Sequence, residues 1–193
     1  DYVAAQFQRD PGLGEWLQAS DLTQALAPAS LKEEVRALLA ECDDEDSLKR
    51  ALRRLRHRHM VRIIWRDLAR IGDYHSAVAD LSLLADTLID EALTVLYGWA
   101  CERCGTPLGP DGTPVRLVVL AMGKLGAHEL NLSSDIDLIF AYEHEGEIEG
   151  ERRALTHHQF FVRLGQQLIK ALDQTTADGF VFRVDMRLRP WGK

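Results

Sequence analysis

Residues 118–142 read VVLAMGKLGAHELNLSSDIDLIFAY, and the architecture follows from how this stretch divides. Its start, extended back to VRLVVLAM (115–122), is β-branched and apolar and predicts a buried strand. GKLGAHELNL follows as a turn and short helix. DIDLIFAY (Asp135–Tyr142) predicts a second strand. In a strand, residues i and i+2 face the same way. Asp135 and Asp137 therefore project together, while Ile136 and Leu138 point into the core. Two unit charges about 4 Å apart repel by roughly 1 to 4 kcal/mol, depending on the effective dielectric. A cation between them removes that cost, and hard divalent ions such as Mg²⁺ take oxygen ligands. The alternative is a pair of carboxylates at a solvated strand end.

Downstream, EHEGEIEGE (143–151) is an acidic loop. Residues 153–172 predict an amphipathic helix with Phe161, Leu164, Leu168, Ile169 and Leu172 as its apolar stripe. After the turn TTADG, FVFRVDMRLRP (180–190) predicts a third strand, stopped by Pro190. Its alternation puts Arg183, Asp185, Arg187 and Arg189 on one face and Val184, Met186 and Leu188 on the other. If this strand lies near the DID strand, three aspartates converge beside a row of arginines. Carboxylates that hold metal and guanidinium groups that neutralise phosphate oxygens suit phosphoryl or nucleotidyl transfer. An exposed edge strand using charge against aggregation is the competing reading.

Upstream, GTPLGPDGTP (105–114) has three Gly and three Pro in ten residues and reads as a connector. Before it the chain is helical in pattern. Leu48, Leu52 and Leu55, and Leu81, Leu84, Leu88 and Leu96, recur at helical spacing. Ser30, with Glu33 as a capping-box partner, predicts one helix start, and Asp73 after Gly72 predicts another. The expected class is α+β. A helical region spans 1–104, a connector 105–114, and a small mixed sheet with flanking helices 115–193.

The whole chain has 193 residues, 46% of them hydrophobic and 27% charged, with a formal net charge of −7. That composition can bury a core without staples and excludes disorder over the whole chain. The negative sign disfavours binding nucleic acid through bulk charge. Three cysteines make no disulfide framework, and no apolar run reaches the roughly 20 residues that cross a bilayer. With no signal peptide visible, the expected setting is cytoplasmic, without a membrane or nucleic-acid partner. A start without Met and a stop at RPWGK suggest an excised piece of a longer chain.

Other motifs read more plainly. GK at 123–124 is no P-loop, since Val118 stands where the first Gly belongs and no Ser or Thr follows the Lys. Cys101-x-x-Cys104 lacks a second pair for zinc and reads as part of a helix end. The basic run 49–66 reads first as a solvated helix face, then as a surface for an acidic partner. His157 and His158, being adjacent, cannot share one metal on a helix and read as surface residues. His75 and His128 have no ligand-like partner in the sequence.

Taken in order, GKLG (123–126), SSDIDLIFAY (133–142), QFFVRLGQQLIKALDQ (159–174) and DGFVFRVDMRLRPWG (178–192) resemble nucleotidyltransferases of the DNA-polymerase-β-like fold. More closely, they resemble the glutamine synthetase adenylyltransferase family. MVRIIWRDLARIGD (60–73) and YGWACERCGTPLGPDG (97–112) extend the resemblance over nearly the whole chain. The resemblance implies a nucleotidyltransferase core over 115–193 with Mg²⁺ held by Asp135, Asp137 and Asp185. Gly123 matches the superfamily glycine where backbone approaches a phosphate. Lys124 stands where many superfamily members carry Ser, in the form this family uses. Ser134 either bonds a phosphate or caps the turn. Arg187 and Arg189 are candidates for the AMP phosphate or the incoming phosphate.

The blocks resemble most the amino-terminal half of such enzymes, which removes the adenylyl group. The implied reaction is phosphorolysis of adenylyl-tyrosine on glutamine synthetase, releasing ADP. The alternatives are the forward transfer from ATP and a non-catalytic module that senses nucleotide or a PII signalling protein. The family implies glutamine synthetase, PII, ADP or ATP, and phosphate as partners.

Overall fold

A computed structural model describes residues 2–148 and 155–186. Five helices come first: α1 (Tyr2–Arg9), α2 (Leu13–Ala19), α3 (Pro28–Leu39), α4 (Glu45–Leu68) and α5 (Tyr74–Cys104). Then follow β1 (Val118–Met122), α6 (Gly123–Gly126), β2 (Ile136–Ala141), β3 (Glu147–Ile148), β4 (Leu155–Thr156), α7 (His157–Asp173) and β5 (Val184–Asp185). The class is α+β, as the sequence indicates. Strands β1, β2 and β5 form a mixed sheet in that order, with β1–β2 antiparallel and β2–β5 parallel. A separate two-stranded ribbon, β3–β4, folds within and beyond the expected acidic loop.

The predicted leucine repeats of α4 and α5 are buried. Leu48, Leu52, Leu55, Leu84 and Leu88 belong to one core, which continues into Leu164 and Leu168 of α7 and Ile136 and Leu138 of β2. Asp73 caps α5 by accepting a hydrogen bond from the Ser76 N–H at 2.7 Å. Ser30 does not cap α3. That helix starts two residues earlier at Pro28, behind Ala27. Proline at the first helical position brings its own fixed φ and needs no donor there. Helix α7 starts later than expected, at a capping box between Thr156 and Gln159. Phe160 joins its buried stripe, while Ile169 is only half-buried. Thr156→Ala is expected to lower stability by about 1 kcal/mol, since it removes a cap. Ser30→Ala is expected to change it by less than about 0.5 kcal/mol. Urea unfolding midpoints of the two variants check the contrast.

Three expectations about burial are overturned. Strand β1 is not buried on both faces. Val118, Leu120 and Met122 are 49%, 47% and 42% exposed, because β1 lies at the sheet edge with one face open. His157 is not a surface residue. It is wholly buried, with Nδ1 2.8 Å from the His144 carbonyl, while its neighbour His158 is exposed. Adjacent helical residues point in different directions, so the two histidines meet different surroundings.

The basic run is the largest correction. Lys49, Arg53, Arg56, His59, Arg62 and Arg66 are all buried. Their head groups find oxygen in neighbouring segments. Arg62 donates to the carbonyls of Asp21 and Gln24, and Arg66 to that of Leu22 and to the buried carboxylate of Asp80. Arg53 donates to the carbonyls of Lys49, Ala171, Gly179 and Gln174. A guanidinium carries five donors in a planar fork, so it can be buried where several carbonyls end. Only part of the run, including Arg50 and Arg54, stays exposed.

Candidate active site

The parallel pairing of β2 with β5 sets the site. Ile136 lies opposite Val184, and Asp137 lies opposite Asp185. Residues in register on adjacent strands share a face, and the strands run about 4.8 Å apart. On its other side Asp137 lies opposite Met122 of β1. Ile136 and Leu138 are buried, which turns Asp137 away from the core; Asp137 and Asp185 are half-buried. Asp135 is exposed and sits just ahead of β2, two residues before Asp137. Ile136 is tied to the chain entering β5 by its N–H donating to the Arg183 carbonyl at 2.8 Å.

Gly123 closes one side of the pair. Its φ is +56°, and a Cβ built there would lie 2.6 Å from the Asp137 Oδ2. The backbone therefore turns from β1 into α6 directly against the Asp137 carboxylate. Gly126, the second glycine of GKLG, has a different task. A Cβ there would lie 2.5 Å from the Ala121 carbonyl oxygen.

The two substitutions are expected to separate. In Gly123→Ala the obstacle is a carboxylate that can rotate away, so the stability loss is about 1–2 kcal/mol from the left-handed backbone. The carboxylate is displaced, however, so any activity that needs it falls. In Gly126→Ala the obstacle is backbone, and the expected loss is about 2–3 kcal/mol of stability. Denaturant midpoints and turnover, measured on both, check this.

Lys124 and Ser134 meet. The Lys124 ammonium donates to the Ser134 Oγ at 3.2 Å, and Ser134 Oγ donates to the Asn131 Oδ1 at 2.7 Å. The Ser134 N–H also donates to the Asn131 carbonyl, so residues 131–134 close as a turn in front of β2. Asn131 belongs to none of the motifs that mark the site in the sequence. The signal available is the run Asn131-Leu132-Ser133-Ser134, an Asn whose side chain can reach the backbone two residues on, as in an Asx turn.

A small cavity of 60 Å³ opens beside this turn, with Asp135, Ser134, Phe180 and Arg183 among its walls. The ion pair that Arg183 makes is with Asp173. Arg183 donates to the Asp173 carboxylate at 3.1 Å and stacks over Phe180 with 4.2 Å from the guanidinium carbon to the ring centre. The third strand, expected over 180–190, covers only Val184–Asp185 among the described residues, and Met186 just after it is 40% exposed. Arg187 and Arg189 lie outside the described residues.

The donor set suits a hard divalent cation. Asp137 and Asp185 are in register, Asp135 is close in sequence, and neither Asp135 nor Asp137 has an ion-pair partner among the described residues. Among those residues no three acidic, histidine or cysteine side chains lie together as a group that could hold a metal ion, so the three aspartates do not converge as the sequence pattern predicts. The site therefore offers an in-register pair, Asp137 and Asp185, with Asp135 two residues ahead of Asp137 in the chain. Cys101 and Cys104 lie in the last turns of α5 with free thiols. No helix is long and apolar enough to cross a membrane among the described residues.

Comparison with known proteins bears on what such a site does. The family model for glutamate-ammonia ligase adenylyltransferase matches residues 1–193. The bifunctional glutamine synthetase adenylyltransferase/adenylyl-removing enzyme of Pseudomonas aeruginosa is 55% identical over 194 residues, covering 100% of this chain and 20% of that protein. Its namesakes in Pseudomonas putida and Shewanella loihica are 52% and 47% identical over the same shares. The chain thus spans about a fifth of the length of the curated relatives it matches. With its full length matched, the chain belongs to the glutamate-ammonia ligase adenylyltransferase family.

Proposed function

We propose that this chain carries a nucleotidyltransferase site that removes AMP from adenylyl-tyrosine of glutamine synthetase by phosphorolysis. The observation that carries the reading is the register of Asp137 with Asp185, closed by Gly123 against the Asp137 carboxylate. An oxygen of inorganic phosphate attacks the adenylyl phosphorus. The bond from phosphorus to the tyrosine oxygen breaks, the tyrosine recovers a proton, and ADP leaves. Bound Mg²⁺ would neutralise charge on the phosphoryl oxygens during this exchange. Asp135, Asp137 and Asp185 are the residues that would hold it.

The chain's own residues do the positioning. Asp137 and Asp185 set a fixed pair of oxygens at the strand ends. Gly123 lets the chain pass close to that pair. Lys124 and Ser134 offer an ammonium and a hydroxyl on the same side of the turn, suited to phosphate oxygens. Arg187 and Arg189 are proposed to neutralise the AMP or the incoming phosphate. A PII-type signalling protein is the proposed regulator.

The names of the relatives join both directions of the reaction, which keeps adenylyl transfer from ATP as a second reading. One experiment separates them. Incubated with adenylylated glutamine synthetase, phosphate and Mg²⁺, the chain is expected to release ADP. Offered ATP and unmodified glutamine synthetase, it is expected to release no pyrophosphate. The opposite pattern would reverse the assignment. Turnover in neither arm would favour a binding module.

A further inference from the structure

The exposed part of the basic run borders a second cavity that the proposed reaction does not use. It has a volume of 310 Å³ and lies between α1, the turn into α2, α4 and the loop around Asp178. Arg9, Arg50, Arg54 and Arg58 face into it, opposed by two carboxylates, Asp10 and Asp178. Its lining shares no residue with the Gly123, Lys124, Ser134, Asp135, Asp137 and Asp185 group.

Positive charge is concentrated here at a cost. Arg50, Arg54 and Arg58 follow one another four residues apart on α4, where like charges destabilise a helix. Asp10 offsets part of this. It accepts from Arg58 Nε at 2.8 Å and lies 3.8 Å from Arg54 Nε. Arg9 and Arg50 have no ion-pair partner among the described residues. The floor is fixed and neutral. The Tyr2 hydroxyl lies 2.7 Å from His57 Nδ1 and accepts from Arg56, so it donates to that ring nitrogen. His57 Nε2 faces the Asp178 carbonyl at 2.8 Å and is therefore the protonated nitrogen. His57 serves as a wall, and the arginines supply the charge.

We infer that this cavity binds a small anion carrying two or more phosphoryl groups, held by the guanidinium groups of Arg9, Arg50, Arg54 and Arg58. Two features favour phosphoryl groups over carboxylates. The guanidinium groups come from both sides of the cavity, from α1 and from α4. A tetrahedral phosphoryl group presents oxygen edges in several directions, whereas a carboxylate presents one planar edge. Successive arginines on α4 are also about 6 Å apart along the axis, so a diphosphate can engage two of them together. The carboxylate of Asp10 competes for the same donors and sets the affinity.

Inorganic pyrophosphate is the probe, titrated calorimetrically into the 193-residue chain in metal-free buffer, with citrate as the carboxylate comparison. Pyrophosphate is expected to bind at one site and to weaken as salt is raised. The Arg50→Gln, Arg54→Gln double variant changes only exposed side chains and is expected to bind at least about tenfold more weakly. Asp10→Asn keeps the turn bond to the Gly12 N–H and removes the competing charge, so binding is expected to tighten about threefold. Asp137→Asn is expected to leave binding unchanged. Absence of binding to the wild type would overturn the site. So would binding that is lost in Asp137→Asn and kept in the double arginine variant. Citrate binding as tightly as pyrophosphate would overturn the preference for phosphoryl groups.

Discussion

Asp137→Asn is expected to cut ADP release from adenylylated glutamine synthetase by at least about a hundredfold, and to leave the fold intact. The magnitude follows from the position. Losing groups that merely orient metal ligands costs about 10–100-fold, and Asp137 is proposed to touch the metal itself. The stability side follows from charge. Asp137 has no ion-pair partner among the described residues and stands in register with Asp185. Replacing it with a neutral amide of the same shape relieves repulsion, so the unfolding midpoint should hold or rise. A structural carboxylate would behave in the opposite way, lowering stability when neutralised. ADP release and a urea midpoint on the same sample separate the two roles. Undiminished release would remove Asp137 from the site.

Arg53→Met is expected to have the largest effect on stability, a loss of about 3–5 kcal/mol from the carbonyl bonds it leaves unmade. Arg53 is 1% exposed and sits where three segments meet. Its Nε donates to the Gly179 carbonyl at 2.8 Å, and one Nη1 bond returns to Lys49 on its own helix, also at 2.8 Å. Further bonds reach the carbonyls of Ala171 and Gln174 at the end of α7. Methionine fills part of the volume and supplies no donor. Each charge-assisted bond lost is worth about 1.5–3 kcal/mol. Arg53→Lys keeps the charge but not the fork, and should recover only part of the loss. Because this anchor holds the loop that leads to β5, the variant should also expose residues 174–183 to faster hydrogen exchange. An unchanged midpoint would mean that the carbonyls are served equally well without it.

The sequence discloses the parts of this fold that local chemistry controls. Alternating residues around Asp135 and Asp137 place the strand, and the leucine spacing places α4 and α5. Asp73 reads as a cap because Asx caps act within three residues. What escaped depends on contacts far away in the chain. Arg53 is buried because Gly179, 126 residues later, brings a carbonyl to it. No window of sequence around the basic run contains that partner. His157 and His158 are equivalent in a hydropathy pattern and differ only by which one turns toward the His144 carbonyl. The open face of β1 reflects its place at the sheet edge, which apolar composition does not report. In the candidate site, the sequence motifs contain the residues that the structure brings together, Asp137, Asp185 and Gly123, whereas Asn131 gains its place only once Ser134 folds back onto it.

Asp135, Asp137 and Asp185 are proposed to form a divalent-metal site for phosphoryl chemistry. The most direct measurement is a Mn²⁺ titration followed by electron paramagnetic resonance, with ADP present, on the wild type, Asp137→Asn and Asp185→Asn. The account predicts ADP-supported Mn²⁺ binding in the wild type and its loss in both variants at unchanged stability. Equal Mn²⁺ binding in all three proteins would contradict it.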